Sequence, residues 1–359
     1  GEAQRMIQEE LGDKLIRVAQ IGPGGEHMVR YACVINDLRH AAGRTGMGAV
    51  MGSKNLKAVA ARGHGKGKVA NEETLKQIVN WLLQNRKLRW ELGTGGDYME
   101  AAALSGNLPT RNFRDGAFSG AKALDPRTIK ETIGLNMESC YACPRRCKKV
   151  VNIDEPWQVD PIYGGPEYEA IGALGSNCGV DDVKAVCKAN ELCNRYSLDS
   201  ISTGVTVGFA IECYESGILS DKDTNGIKLN FGNAQALLQI VEMIGKRQGI
   251  GDILAEGVKR AAQRIGKGAN KLAVHVKGQE VPMHEPRLKP ILGVGYAISP
   301  TGAEHMANVH DTDITGGGYL EKLGSFGILE AMPLEYFGPK KTRALVYISN
   351  WRVVENSLL

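Results

Sequence analysis

Apolar side chains recur at helical spacing through most of the chain. Asn71 can cap a helix that has Glu72 and Glu73 in its first turn and apolar residues at positions 75, 78, 79, 82 and 83. The same period predicts further helices at roughly 97–104, 127–133, 181–195, 200–215, 234–247, 250–264 and 340–350. The pattern therefore predicts a mainly α-helical fold.

Strand-like segments are short and lie mostly near the N-terminus. Residues 15–21 alternate loosely before a glycine-proline turn, and residues 56–61 are also strand-like. The glycine-lysine stretch 63–68 is typical of a linker between domains. A third strand-like patch covers residues 271–276. We therefore predict a short β-containing piece followed by larger helical domains.

Length and charge exclude several classes of protein. A chain of 359 residues with 43% hydrophobic residues can form two or three domains with buried cores. Its 44 Lys and Arg nearly balance 40 Asp and Glu, so the net charge of +4 gives no case for nucleic acid or an anionic membrane as partner. The absence of a leader and of an apolar run near ~18 residues favours a soluble, cytoplasmic protein. Because the chain opens on Gly1 and stops in mid-phrase, we expect an internal fragment of a longer protein.

Three of the eight cysteines lie within eight residues, as Cys140-x2-Cys143-x3-Cys147. Pro144 keeps this run from continuing as a helix, so the three thiols can converge on one centre. Three clustered thiolates with one distant cysteine are typical of a [4Fe–4S] cluster. A structural zinc site would need a fourth ligand nearby, and three unconnected cysteines are the remaining alternative.

The segment from Gly43 to Lys54 is rich in glycine and holds two cations and two hydroxyls. Bare amides next to cations can bind phosphate, although neither a Walker loop nor a dinucleotide-binding fingerprint is present. A structural turn explains the segment equally well.

Taken together, these segments resemble the tungsten-containing aldehyde ferredoxin oxidoreductases. The similar phrases follow one another in the family's order along essentially the whole chain: Gly43–Ala58, Cys140–Cys147, Gly165–Glu169, Leu174–Asp182, Leu198–Gly204 and Gly251–Gly257. The resemblance implies the end of an N-terminal pterin-binding β-sheet domain at residues 1–63. It further implies a helical domain with the cysteine motif at 64–278 and part of a C-terminal helical domain at 279–359.

The resemblance also implies two cofactors, a [4Fe–4S] cluster and a tungsten (or molybdenum) bis-pterin. It assigns Cys140, Cys143 and Cys147 to the cluster, whose fourth cysteine would follow the phrase Glu355–Leu359 just beyond this chain. The residues it assigns to pterin or phosphate binding are Arg44, Gly46, Gly48, Asn194, Leu198 and Asp199. Asn194 stands where the family has aspartate, which weakens the assignment of that residue.

By the same resemblance, the reaction is oxidation of an aldehyde to a carboxylate, with electrons passing to ferredoxin or a similar acceptor. Such a reaction needs a base for water and a donor for the carbonyl oxygen. Glu167 is the candidate base, with Glu169 as the second choice, and His305 is the candidate donor. Alternatively, Glu167 caps the helix that begins there and His305 is structural.

Two other functions remain open at this point. The chain could be the catalytic subunit of a related tungsten enzyme that reduces an aromatic thioester or ring, or a zinc-stabilised binding module without redox chemistry. The resemblance allows a homo-oligomer, although we find no match for the glutamate and histidine that bridge some dimers of this group. Arg145, Arg146, Lys148 and Lys149 are candidates for steering an acidic ferredoxin.

Overall fold

The computed structural model of this chain describes residues 1–65, 67–85, 91–96, 98–141, 143–316 and 318–357. A little under half of the chain is helical, and the described strands form three small antiparallel sheets. The fold is therefore mixed, and the prediction of a mainly α-helical protein holds for the helices but understates the sheets.

The N-terminal part is a four-stranded sheet with three helices. Its strands are β1 (Arg17–Gln20), β2 (Val34–Asn36), β3 (His40–Ala42) and β4 (Ala58–Ala61), in the spatial order β3-β2-β1-β4. Its helices are α1 (Glu2–Glu10), α2 (Pro23–Glu26) and α3 (Met47–Ser53). The alternation at 15–21 and 56–61 thus predicted two adjacent strands, which pair directly.

The middle of the chain is a layered helical body. Its helices are α4 (Glu72–Asn85), α5 (Met99–Leu104), α6 (Pro126–Thr132), α7 (Tyr168–Leu174), α8 (Val183–Tyr196), α9 (Ser200–Glu215), α10 (Ala234–Lys246), α11 (Ile250–Leu254) and α12 (Val258–Ile265). Two hairpins accompany them, β5 (Gly134–Glu138) with β6 (Lys148–Val151), and β7 (His275–Val276) with β8 (Gln279–Glu280). The single helix predicted at 250–264 is broken because Gly257 has a φ of 79°.

The C-terminal part has its own smaller core. Its helices are α13 (Pro290–Ile298), α14 (Gly318–Leu323) and α15 (Pro339–Ser357), with a 3-10 turn at Asp311–Ile314. Ile291, Val309, Leu345 and Ile348 are among the residues that pack together there. The phrase at 355–359, similar to a pterin-binding motif, ends outside the described residues. No helix in the described part of the chain is both long and apolar enough to span a bilayer.

Helix α9 is the centre of the larger core. Twelve of its sixteen residues are buried, and its apolar side chains face all directions, as expected for a helix surrounded by others. It packs against α7 through Gly204, where a Cβ would lie 2.3 Å from the carbonyl oxygen of Ala173. The two helix axes can therefore approach closely only because residue 204 has no side chain.

We expect Gly204→Ala to lower the free energy of unfolding by about 1–3 kcal/mol, because α7 and α9 must separate to admit the methyl group. Gly63→Ala is the matched control, since a Cβ there meets nothing within 4 Å. Chemical denaturation of both variants measures the effect. Equal free energies of unfolding for the two variants would show that the contact between α7 and α9 accommodates the methyl group without loss of stability.

The N-terminal sheet docks on the connection between α8 and α9. The amide of Cys33 donates to the carbonyl of Ser197 over 2.8 Å, and the amide of Asp199 donates to the carbonyl of Tyr31 over 3.0 Å. Leu198 is buried in this contact. The segment before β2 is thereby fixed against the start of α9.

Candidate active site

The hairpin of β5 and β6 holds the three clustered cysteines in its turn. The amide of Cys143 donates to the carbonyl of Cys140 over 3.0 Å, and all three thiols are free of disulfides. The pKa of Cys147 is raised by burial and by the negative charges of Glu167, Cys140 and Cys143. The three sulfurs therefore lie within electrostatic range of one another, which fits joint ligation of a metal cluster.

This hairpin lies at the edge of a cavity of about 570 Å³. Eight residues predicted from the sequence to bind cofactor or act in catalysis line its wall: Arg44, Cys140, Cys147, Glu167, Glu169, Asn194, Asp199 and His305. Cys143, Gly46, Gly48 and Leu198 are described as well but do not line it. The fold thus brings together predicted cofactor-binding and catalytic residues that are far apart in the sequence.

Arg44 has an unsatisfied donor in the wall of this cavity. Its Nη2 donates to the backbone carbonyl of Glu280, whereas Nη1 is buried without a hydrogen-bond partner among the described residues. A buried donor left unpaired costs free energy. An anionic or polar group in the cavity would supply the missing acceptor, so this residue fits the pterin cofactor implied by the sequence.

Gly46 and Gly48 are explained by packing. A Cβ at Gly46 would lie 2.2 Å from the carbonyl oxygen of Arg30, and one at Gly48 would lie 2.4 Å from that of Cys33. The amide of Gly48 donates to the carbonyl of Ala32 over 2.9 Å and is therefore already paired. The glycines let α3 approach the strand segment before β2, and their contact with a cofactor stays a prediction.

The connection between α8 and α9 presents polar side chains that already have partners. Asp199 caps α9 by accepting hydrogen bonds from the amide of Ile201 at 3.0 Å and the hydroxyl of Ser202 at 2.8 Å. Nδ2 of Asn194 donates to the carbonyl of Tyr163 over 2.9 Å. These bonds hold the cavity wall in place, and direct cofactor binding by Asn194, Leu198 and Asp199 stays a prediction.

Glu167 occupies the N-cap position of α7, but its side chain does not cap the helix. The hydroxyl of Thr94 instead accepts from the amide of Tyr168 at 3.1 Å and donates to the Glu167 carboxylate. Nζ of Lys148 lies 3.7 Å from the other carboxylate oxygen. Glu167 is thus held between a hydroxyl and a cation at the edge of the cavity.

Glu169, two residues after Glu167 and in the first turn of α7, lies in a buried cluster with histidines. Its Oε1 is 3.0 Å from Nε2 of His284 and 3.6 Å from Nε2 of His305, and its Oε2 accepts from the amide of Met283 at 2.8 Å. Burial alone would raise the pKa of Glu169, but the facing imidazoles and the amide outweigh it and lower the pKa to about 2. The carboxylate is therefore ionised at neutral pH.

A second cavity of about 490 Å³ adjoins this cluster and shares Glu167, Glu169, His305 and Met306 with the first. Its wall adds aromatic side chains, including Tyr98 and Tyr168. The shared residues thus lie where the larger cavity meets a smaller one with several aromatic side chains in its wall. A small organic substrate in the second cavity would meet Glu169 and His305 where the two cavities join.

His284 and His310 were not predicted as functional from the sequence. Their rings contact each other edge to face at 4.4 Å, and Nε2 of His310 lies 3.1 Å from the carbonyl of His305. Burial, followed by the neighbouring cations, lowers the pKa of His310 to about 2, so this ring stays neutral. The sequence signal that could have found His310 is its spacing of five positions from His305, whereas the role of His284 depends on contact with α7.

Comparison with protein families gives matches along nearly the whole chain. The family model described as aldehyde ferredoxin oxidoreductase, domains 2 and 3, matches residues 73–359. The model of the N-terminal domain of the same family matches residues 1–63.

Curated proteins with similar sequences carry different activities in their names. The chain is 37% identical over 316 residues to a tungsten-containing aldehyde ferredoxin oxidoreductase of Pyrococcus horikoshii, which covers 85% of this chain and 51% of that protein. It is 36% identical over 296 residues to the WOR-like subunit of an aliphatic sulfonate oxidoreductase of Pyrococcus furiosus, which covers 79% of this chain and 47% of that protein. The chain therefore spans about half the length of the curated relatives it matches.

A solved structure has a similar fold. The active-site complex BamBC of benzoyl coenzyme A reductase, bound to 1,5 dienoyl-CoA, matches with a TM-score of 0.69 and 26% sequence identity. The similarity covers 91% of this chain and 51% of that one.

Proposed function

The chain belongs to the aldehyde ferredoxin oxidoreductase family, and from this we propose that the whole protein oxidises an aldehyde to a carboxylate. The proposed cofactors are a tungsten (or molybdenum) bis-pterin beside Arg44 and a [4Fe–4S] cluster on Cys140, Cys143 and Cys147. The proposed acceptor is ferredoxin or a similar electron carrier. Membership of this family explains the cysteine spacing, so we do not propose a zinc-stabilised binding module.

The observation that carries this proposal is the ionised Glu169 beside His284 and His305, at the junction of the two cavities. A buried carboxylate with an open position next to it can take a proton from water. Exclusion of water by a bound substrate raises the pKa of a carboxylate and so strengthens it as a base. We prefer Glu169 to Glu167 as the base, because Glu169 lies beside His305, the candidate donor, whereas the partners of Glu167 are Lys148 and Thr94.

The proposed reaction converts an aldehyde and water into a carboxylate, three protons and two electrons. When bound, the tungsten centre would take up the two electrons and the cluster would pass them on singly. Glu169 would accept the proton of the attacking water, and His305 would donate a hydrogen bond to the carbonyl oxygen. Tyr98 and Tyr168 would shield the substrate from bulk water.

The surface beside the cysteines supports docking of an acidic carrier only in part. Arg145 and Arg146 are exposed next to Cys147, and their positive charges would contribute to electrostatic steering. Lys149 is buried and donates to the carbonyl of Thr94, and Lys148 pairs with Glu167, so neither belongs to the exposed patch. The predicted four-cation patch is therefore reduced to its two arginines.

A second candidate function is reduction of an aromatic thioester or ring. It is favoured by the similarity in fold to the benzoyl coenzyme A reductase complex and by the aromatic wall of the second cavity. The test uses full-length protein purified without oxygen, with viologen as the electron acceptor or donor. Aldehyde-dependent viologen reduction supports the first proposal. Oxidation of reduced viologen by an aromatic thioester, without aldehyde activity, would replace it with the second.

Cluster ligation makes a separate prediction. We expect Cys147→Ser in the full-length protein to lose most of the about four iron atoms expected per chain, because one thiolate ligand is missing. Cys213→Ala removes a thiol at the end of α9, far from the hairpin in sequence, and should retain them. Iron analysis of both variants measures the difference. Full iron content in Cys147→Ser would exclude this cysteine as a required ligand.

A further inference from the structure

Lys289 is a buried lysine directly before α13, with only 1% of its surface exposed. Its Nζ lies 3.3 Å from Nδ1 of His284, on the opposite side of the ring from Glu169. Three groups therefore form a continuous chain of contacts from Lys289 through His284 to Glu169. Lys289 has no role in the aldehyde oxidation proposed for Glu169 and His305.

The charges around Lys289 determine which atom carries each proton. Burial lowers the pKa of Lys289 to about 8, although the negative charges of Asp313, Glu169 and Asp311 act to raise it. The side chain is therefore mostly an ammonium at neutral pH, and an ammonium can only donate hydrogen bonds. Nδ1 of His284 must then be the acceptor.

A neutral histidine that accepts at Nδ1 carries its hydrogen on Nε2. Burial, followed by the nearby charges of Lys289 and His305, keeps His284 neutral by lowering its pKa, in opposition to Glu169. Nε2 of His284 therefore donates towards Oε1 of Glu169 across 3.0 Å. It has no free lone pair for a metal ion, although the donor atoms of Glu169, His284 and His305 all lie within 4.8 Å of one another.

We propose that Lys289 is a positioning residue, which holds His284 in the tautomer that donates to Glu169. The inference rests on the proposed function, in which Glu169 is the base. With its hydrogen on Nε2, 3.0 Å from Oε1, His284 would hold the Glu169 carboxylate in place beside the cavity junction. Without the ammonium, the ring is free to adopt the other tautomer or to take up a proton.

The test compares Lys289→Met, Lys289→Arg and Lys289→Gln in the full-length holoenzyme. Methionine keeps the length and apolar stem, arginine keeps the charge and donors, and glutamine keeps a donor without charge. Lys340→Met is the matched control, because Lys340 is exposed and pairs with Glu330 on the surface. Thermal melting of each variant establishes that it is folded.

The first measurement is hydrogen–deuterium exchange at the C2 position of His284, followed by mass spectrometry as a function of pH. In Lys289→Met the exchange midpoint should move to higher pH, because a cation beside the ring has been removed. Lys289→Arg and Lys340→Met should keep the wild-type midpoint. An unchanged midpoint in Lys289→Met, or an equal shift in Lys289→Arg, would overturn the proposal.

The second measurement is the pH profile of aldehyde oxidation. Its acidic limb should move to higher pH in Lys289→Met, since a protonated His284 pairs with Glu169 and blocks it as a base. Lys289→Gln should fall between Lys289→Met and wild type, since it keeps the donor alone. If the exchange midpoint moves as expected while the protein oxidises no aldehyde, the proposed function fails and the positioning role of Lys289 stands.

Discussion

Replacing Glu169 with glutamine is expected to lower kcat for aldehyde oxidation by roughly 10³-fold, with KM changed little. Removal of a general base typically costs on the order of 10²–10⁴-fold. Glutamine has nearly the same shape and can still accept from the amide of Met283, so the fold of α7 should persist. Steady-state kinetics with viologen, together with tungsten and iron analysis, measure the loss of turnover separately from the loss of cofactor.

Glu167→Gln is the matched control, since the two carboxylates are two residues apart and both line the cavities. It removes the ion pair with Lys148 and should cost no more than about tenfold in kcat, because a partly exposed ion pair contributes little. If Glu167→Gln is the inactive variant and Glu169→Gln is active, the base is Glu167. If both variants keep full activity, neither carboxylate is the base.

Replacing Lys341 with methionine should destabilise the protein by about 3–5 kcal/mol. Lys341 and Asp311 form an ion pair at 2.9 Å with both side chains 0% exposed. Nζ also donates to the carbonyls of Pro333 and Leu334, each at 2.9 Å. Methionine would leave the Asp311 carboxylate buried without its counterion. This carboxylate lies in the 3-10 turn beside the smaller, C-terminal core.

The control for this prediction is again Lys340→Met, which breaks an exposed ion pair and should cost at most about 1 kcal/mol. A second variant, Lys341→Met with Asp311→Asn, removes both charges and should be more stable than Lys341→Met alone. Asparagine still accepts from the amides of Ile291 and Leu292, as Asp311 does. Denaturation midpoints of the three variants test this order of stability. If the double variant is no more stable than Lys341→Met, the unpaired charge of Asp311 is not the cause of the destabilisation.

The helices were predictable where local signals agree. Helix α9 begins and ends where the pattern places it, because Asp199 caps it and apolar residues continue to its end. The hairpin of β5 and β6 was not predicted, because its strands are only five and four residues long and β6 does not alternate between apolar and polar residues. Such strands are stabilised by their partner and by Gly165, whose amide donates to the carbonyl of Lys149.

The site was predictable as a list of residues but not as a geometry. Of the residues assigned from the cysteine spacing and the glycine-rich segment, Arg44, Cys140 and Cys147 line one cavity. Cys143, Gly46 and Gly48 do not. Local sequence could not rank Glu167 against Glu169, because both lie in the same phrase and only their tertiary partners differ. His284 and Lys289 lie more than a hundred residues from α7, so the contacts from Lys289 to His284 and from His284 to Glu169 are set by tertiary packing.

The large cavity is walled by segments that extend from Arg39 to Met306. No single helix or hairpin forms more than a fraction of this wall, so the binding site exists only after distant parts of the chain have met. Contacts between distant segments form late, because closing long loops is entropically costly. A pterin bound in this cavity, as proposed, would meet its full set of contacts only after these segments have folded together.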